Sequence, residues 1–500
     1  MNEPRTRTRG GNRPRRHAAG LLGAAALLGG AAACGDPPAR AEVAPLLLIG
    51  VDGLEWELVL RFGAAGDLPN LMALAREGFA ARLETIDPTI SPVVWTTIAT
   101  GKRPEKHGIT GFSYADAEGR PHLFLSLHRR SKALWNLFDD AGLATRVFGW
   151  WCTLPVEPIR GAMVAQSSLR AQIDISQGDR IWKGTFLPVD GLDGQVHPEE
   201  LAPRMVAIAN ALADRAAGGS DPMAAAFGAP AGFTSATRNL WDLVRGAFYA
   251  DCVFRDGALD ALERREPFDA LLVYFGVPDV ASHLFWRHFE PEKFDHPPPA
   301  AEVADFGRVI RDSYRFVDDA VGALRRAAPG ADLLVISDHG FRAANVHLDF
   351  NAEGGRIDSG HHLNQPPGVL IAAGRSFRRS PLPADAPGRV PRSIGRVEDV
   401  LPTLLARAGI AYGQDMDGRP MQGLLAEELL RARPITEVKS HEDGAWRAAR
   451  MRAEAHALAW ERNFEARFGA STPEELARLR ALGYAGPGLL PEDPAGGDGR

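Results

Sequence analysis

The sequence predicts an α/β fold with a mostly parallel central sheet flanked by helices and an inserted cap region. Leu46-Leu-Leu-Ile-Gly-Val51, Ala270-Leu-Leu-Val-Tyr-Phe275 and Leu333-Leu-Val-Ile336 are continuous apolar runs. Strands buried on both faces of a parallel sheet read this way, rather than alternating. Each run leads into acidic or imidazole side chains: Asp52 after the first, Asp279 and His283 after the second, Asp338 and His339 after the third. Open α/β sheets hold ligands in the crevice beyond the carboxyl ends of their strands. A single Asp there is ordinarily a turn residue or a helix cap. Three strand ends bearing two Asp–His sets point to a site for zinc or a similar divalent ion.

The elements follow in chain order. Arg5, Arg7, Arg9, Arg13, Arg15 and Arg16 face only Glu3 in the first sixteen residues, and Ala, Gly and Leu then run from Ala18 to Ala33. A basic start and a short apolar run describe a signal peptide over residues 1–33, and the run is too short for a comfortable membrane span. Ala31-Ala32-Ala33-Cys34 is similar to a bacterial lipobox, with Ala31 where Leu is usual. The expectation is an exported protein, periplasmic or anchored to the membrane by a lipid on Cys34, with a Pro/Ala linker over 34–44. The main domain then spans 45–425. Helical spacing marks 70–77 and 132–141, and Arg146 to Trp150 reads as a strand. The strand–helix alternation weakens over 165–265, where helical patterns at 198–215 and 237–264 flank a Gly/Ala/Pro-rich passage, and this region is taken as the cap. The core resumes at the Ala270 strand, with a helix over 314–325, strands at 331–336 and 368–374, and a helix over 397–408. A C-terminal helical extension covers 426–485, with a long charged helix over 437–467, and the Pro/Gly-rich residues 486–500 read as a disordered tail.

Composition narrows the classes. Five hundred residues with 45% hydrophobic content can bury a large core, and a net charge of −6 gives no basis for nucleic-acid binding as a global property. Cys152 and Cys252 are too few for a disulfide framework and are read as buried thiols.

Asp279 and His283 stand four apart, so on a helix they share one face. Asp338 and His339 are neighbours, an arrangement that converges only at a strand end or in a loop. His361 and His362 follow in a Gly-rich loop, and with Asp52 there are donors enough for two ions. Ser91 opens a helical run at Ser91-Pro-Val-Val-Trp95. It is either a simple helix cap or a hydroxyl set where helix amides and dipole attract an anion and can serve as nucleophile. Trp150-Trp151 and Phe285-Trp286 are either core or the wall of an apolar pocket.

The stretch Pro88-Thr-Ile-Ser91 through Thr100-Gly101-Lys-Arg-Pro-Glu-Lys-His107-Gly-Ile109 resembles the nucleophile segment of the alkaline phosphatase superfamily. It is most similar to the type I phosphodiesterase/nucleotide pyrophosphatase branch. Val51-Asp52-Gly53, the Asp279/His283 pair, Ser337-Asp338-His339-Gly340, Ser359-Gly360-His361-His362 and Asp415-Met-Asp-Gly-Arg-Pro420 occur in that family's order. The resemblance implies two zinc ions, one on Asp279, His283 and His362, the other on Asp52, Ser91, Asp338 and His339. It implies Ser91 as the nucleophile that takes a phosphoryl group from a small-molecule phosphate ester, a mono- or diester. Nucleotide pyrophosphatases carry Thr at that position, and an Asn after His-Gly-Ile where Thr110-Gly111-Phe112 stands here. A sulfatase or phosphonate hydrolase on the same scaffold is the alternative. Thr472 to Tyr484 resembles a tail found in some sulfatases, but Ser91 lacks the Arg context needed for conversion to formylglycine. A non-catalytic surface lipoprotein is the third reading, against which the clustered Asp and His residues speak.

Overall fold

A computed structural model describes residues 43–119, 121–166, 194–350, 358–383 and 389–468. The signal peptide, Cys34, most of the linker, residues 167–193 of the cap region and the tail lie outside the described residues.

The sheet has nine strands: β1 Leu46–Val51, β2 Phe79–Glu84, β3 Thr145–Phe148, β4 Gly161–Val164, β5 Val196–His197, β6 Ala270–Phe275, β7 Asp332–Ile336, β8 Gly368–Ala373 and β9 Ser393–Arg396. Their spatial order is β9-β2-β8-β7-β1-β6-β3-β4-β5. The strands β7, β1, β6, β3 and β4 run parallel, while β8 lies antiparallel to both β7 and β2. Every residue of β1, β6 and β7 is buried, which is what their unbroken apolar runs require. The three strands that end in Asp or Asp–His are therefore neighbours at the centre of the sheet, β6-β1-β7.

The helices that position the site are α1 Trp56–Ala64, α2 Pro69–Glu77, α3 Ser91–Thr100, α4 Ser235–Glu263, α5 Val277–Phe289, α6 Val309–Ala327, α7 Val400–Ala408 and α8 Gly444–Phe468. Their ends are closed by different means. Glu55 accepts the Glu57 amide at the start of α1. The amides of Asn70 and Leu71 at the start of α2 donate to Asp318 of α6 at 3.1 and 2.7 Å. Gly101, at φ +64, ends α3 in the left-handed conformation that suits glycine. All ten residues of α3 are buried.

Two features escape the sequence pattern. β2 buries alternate residues and is one strand from the sheet edge, so it lacks a continuous apolar run. The long C-terminal helix starts at Gly444 rather than at 437. Glu437–Val438 instead pair with Tyr412–Gly413, and Asp443 Oδ1 accepts the Trp446 amide at 2.7 Å to open the helix. α8 docks through Arg450, which donates to the carbonyls of Arg129 (2.8 Å) and Ser126. Within the stretch 165–265, α4 packs against β6 and α5, so this part of it lies in the helical layer over the sheet. Cys152 and Cys252 are buried free thiols. No helix among the described residues is long and apolar enough to cross a membrane.

Candidate metal centre

Because β6, β1 and β7 are adjacent and parallel, their following residues meet above one edge of the sheet. Asp52 comes directly after β1, Asp338 two residues after β7, and Asp279 in the first turn of α5, which follows β6. All three carboxylates are buried, as are His283 and His339. Two groups of donors form, Asp52–Asp338–His339 and Asp279–His339–His362, each with its ligand atoms within 4.8 Å of one another. His339 belongs to both. Its Nε2 is 3.3 Å from Asp52 Oδ1, 3.2 Å from Asp338 Oδ2 and 3.9 Å from Asp279 Oδ1. His283 stands beside the second group, its Nε2 3.6 Å from Asp279 Oδ1 and its ring centroid 5.0 Å from that of His362.

The choice between His361 and His362 follows from the pleat. His361 lies in a short antiparallel pair with Arg342, and its Nδ1 accepts the Leu363 amide at 3.0 Å. Successive side chains on extended backbone point oppositely, so His362 faces the other way, its ring centroid 4.1 Å from that of His339.

The remaining atoms of these side chains are held. The Trp95 indole N–H and the Tyr274 hydroxyl donate to Asp52 Oδ2 at 2.9 and 2.6 Å. The Gly53 amide donates to Asp338 Oδ1 at 3.3 Å. His283 Nδ1 donates to the Gly360 carbonyl at 3.1 Å and His339 Nδ1 to the Gly340 carbonyl at 3.0 Å, which leaves both Nε2 atoms as lone pairs. Asp52 Oδ1, Asp338 Oδ2, His339 Nε2 and His362 Nδ1 are buried yet make no well-formed hydrogen bond. An unsatisfied buried polar atom costs about 1–3 kcal/mol, so four at one point are a poor apolar core and a good set of cation donors. Oxygen and imidazole nitrogen without sulfur suit zinc-class ions.

Electrostatics agree with that fit. Burial and the charges of Asp52 and Asp279 push the Asp338 carboxyl well above its ordinary range. Burial also raises the Asp52 carboxyl, but the His339 ring, the Tyr274 hydroxyl and the Trp95 indole outweigh it, and the carboxyl ionises below its usual value. Burial, with Asp358 opposing, brings His283 down to about 4, and burial with the neighbouring rings brings His362 well below its usual value. Three carboxyl groups and three imidazole rings are thereby crowded at one place, an arrangement that suits a cation.

Ser91 is the first residue of α3, 4% exposed, and Ile90 rather than Ser91 occupies the cap position. Its relation to the cluster runs through Trp95, one turn along the same face, which is bonded to Asp52. Lys102 is engaged elsewhere, its ammonium 2.8 Å from Asp415 and 2.9 Å from Glu442. Trp150, Phe285 and Trp286 are buried in the core: Trp150 meets Trp95 edge-on, and Trp286 stacks on Phe341. Trp151 is 6% exposed and meets Phe112 and Tyr274 edge-on.

Trp95 and Tyr274 were not among the expected site residues. The spacing of four between Ser91 and Trp95 is the one sequence signal that bears on either. Gly53, at φ +72, is a third. A Cβ there would sit 3.0 Å from Asp279 Cα. Gly53→Ala is expected to destabilise the fold by about 1 kcal/mol or more and to weaken metal retention, read by thermal unfolding and metal content. A protein with unchanged melting and metal content would contradict this.

The Type I phosphodiesterase / nucleotide pyrophosphatase family matches the chain over residues 46–364. Among curated proteins nothing matches. Solved structures of low identity also match. A 2-O GAG sulfatase is 14% identical, with 80% of this chain and 76% of the other covered, at a TM-score of 0.43. Murine ectonucleotide pyrophosphatase / phosphodiesterase 5 is 12% identical, covering 76% and 100%, at 0.43. Phosphonoacetate hydrolase from Sinorhizobium meliloti 1021 is 18% identical, covering 60% and 57%, at 0.33.

Proposed function

Because the chain belongs to the type I phosphodiesterase / nucleotide pyrophosphatase family, we propose that it is an exported two-metal hydrolase of phosphate mono- or diesters that uses Ser91 as its nucleophile. The observation that carries this reading is the convergence of four unsatisfied donor atoms above three adjacent strands, beside a helix that begins with Ser91.

Asp279, His283 and His362 would hold one ion, and Asp52, Ser91, Asp338 and His339 the other, with zinc the favoured metal. When bound, such ions polarise phosphoryl oxygens and lower the pKa of a coordinated oxygen. The chain's own residues do the rest. Trp95 and Tyr274 hold Asp52 by one oxygen, and the Gly360 and Gly340 carbonyls orient His283 and His339. The Ser91 hydroxyl gives up its proton to solvent as Oγ attacks phosphorus and the ester oxygen leaves with its electron pair, giving a phosphoseryl intermediate. Water then attacks the same phosphorus and gives up a proton, and the Ser91 oxygen leaves and is reprotonated as phosphate, or the monoester from a diester substrate, departs. Phe112, in the segment after His107-Gly-Ile109 where nucleotide pyrophosphatases carry an Asn, meets Trp151 edge-on, and Trp151 meets the Tyr274 ring that holds Asp52.

A panel of mono-, di- and phosphonate esters with a sulfate ester tests the class. Turnover of the phosphate esters is expected, and turnover of the sulfate ester alone would overturn the reading. Export is tested separately by mass spectrometry of the mature N-terminus. A lipid-modified Cys34 is the expected result, and an intact Met1 would remove export.

A further inference from the structure

The helix that bears Asp279 and His283 has no cap of its own. Gly276, at the cap position of α5, offers no side chain, and Pro278 has no N–H. The two amides at this end both turn to one residue. Gly276 N donates to both oxygens of Asp251 at 3.0 Å, and Val277 N to Asp251 Oδ2 at 2.8 Å. Asp251 sits mid-way along α4 and is 2% exposed. Its oxygens accept from amides that a helix start leaves unpaired, while burial pushes the carboxyl up to about 8. Asp279 follows Val277 by two residues, so the start of α5, and with it the first carboxylate of one metal group, is fixed from α4. The other end of the ligand pair is fixed separately: the Ser359 amide donates to the His283 carbonyl at 2.6 Å, beside the Gly360 carbonyl that holds the ring.

We infer that Asp251 is a positioning residue, acting through the first turn of α5, for the ion held by Asp279, His283 and His362 and not for the ion held by Asp52, Asp338 and His339. The inference rests on the two-metal reading above. Asp52 and Asp338 take their side-chain hydrogen bonds from Trp95, Tyr274 and the Gly53 amide, whereas Asp251 accepts from the Gly276 and Val277 amides at the start of α5.

The test compares Asp251→Asn with Asp318→Asn. Asp318 closes the start of α2 in the same manner, and the residues it holds, Asn70 and Leu71, belong to neither metal group. Zinc affinity is measured by competition with a chelating dye, and the cobalt(II)-loaded proteins are compared by visible absorption. Asp251→Asn is expected to weaken one of two zinc ions by about 10- to 100-fold, as loss of an outer-shell partner does, and to change one cobalt band set. Asp318→Asn is expected to lower the melting temperature with both ions retained at wild-type affinity. Two ions retained at full affinity in Asp251→Asn would overturn the inference, as would equal loss of both ions, or equal loss in the two variants. Wild-type protein that binds no metal is a different outcome, and it would fail the two-metal reading itself.

Discussion

Ser91→Ala is expected to lower turnover of a phosphate ester by roughly four powers of ten, the scale seen when a covalent nucleophile is removed. That corresponds to about 5 kcal/mol of lost transition-state stabilisation. The fold should survive. Ser91 accepts no helix-capping role, and Ile90 holds the cap position. Zinc should stay bound on Asp52, Asp338 and His339, whose orientation does not pass through the Ser91 hydroxyl. Ser91→Thr supplies the same oxygen and should retain part of the activity. Steady-state rates with metal content on the same samples decide the matter. Near-normal turnover in a metal-loaded Ser91→Ala enzyme would exclude the phosphoseryl route.

Stripping the metal is expected to have an effect as large, on both rate and stability. With no cation, Asp52, Asp279 and Asp338 share one buried site, and the Asp338 carboxyl is driven up by its two neighbours as well as by burial. A ligand present at a thousand times its dissociation constant stabilises the native state by about 4 kcal/mol. Chelator should abolish turnover and lower the melting temperature, and about two equivalents of zinc per chain should restore both. Unchanged rate and melting after exhaustive chelation would remove the metal mechanism.

The strand ends were legible because each combines an unbroken apolar run with an acidic or imidazole terminus. β1, β6 and β7 have no solvated face to interrupt the pattern. Their adjacency was not legible, since spatial order in a sheet is set by crossovers rather than by sequence order. Trp95, Tyr274 and Asp251 were missed for the same reason. Their partners lie 43, 222 and 25 positions away, and each looks like ordinary core or helix until the sheet brings them together. The Ser-Gly-x-His spacing favoured His362 over His361 but did not decide between them. The backbone pairing of His361 with Arg342 distinguishes them, and that pairing depends on a strand of two residues. The helix beginning at Ser91 was visible as a run, but the absence of any exposed position on it was not.

That last feature bears on how such an enzyme can change over time. A helix with no solvated side has no position where substitutions accumulate without consequence, so Ser91–Thr100 can drift only by coordinated replacement with its neighbours. Trp95 is the extreme case, since a replacement must fill the volume of an indole and still donate to Asp52. New substrate preferences would then arise in descendants from the less buried segments around the crevice, while the nine helix residues behind the nucleophile stay almost fixed. Inherited chemistry and mutable selectivity are thereby assigned to different stretches of the same chain.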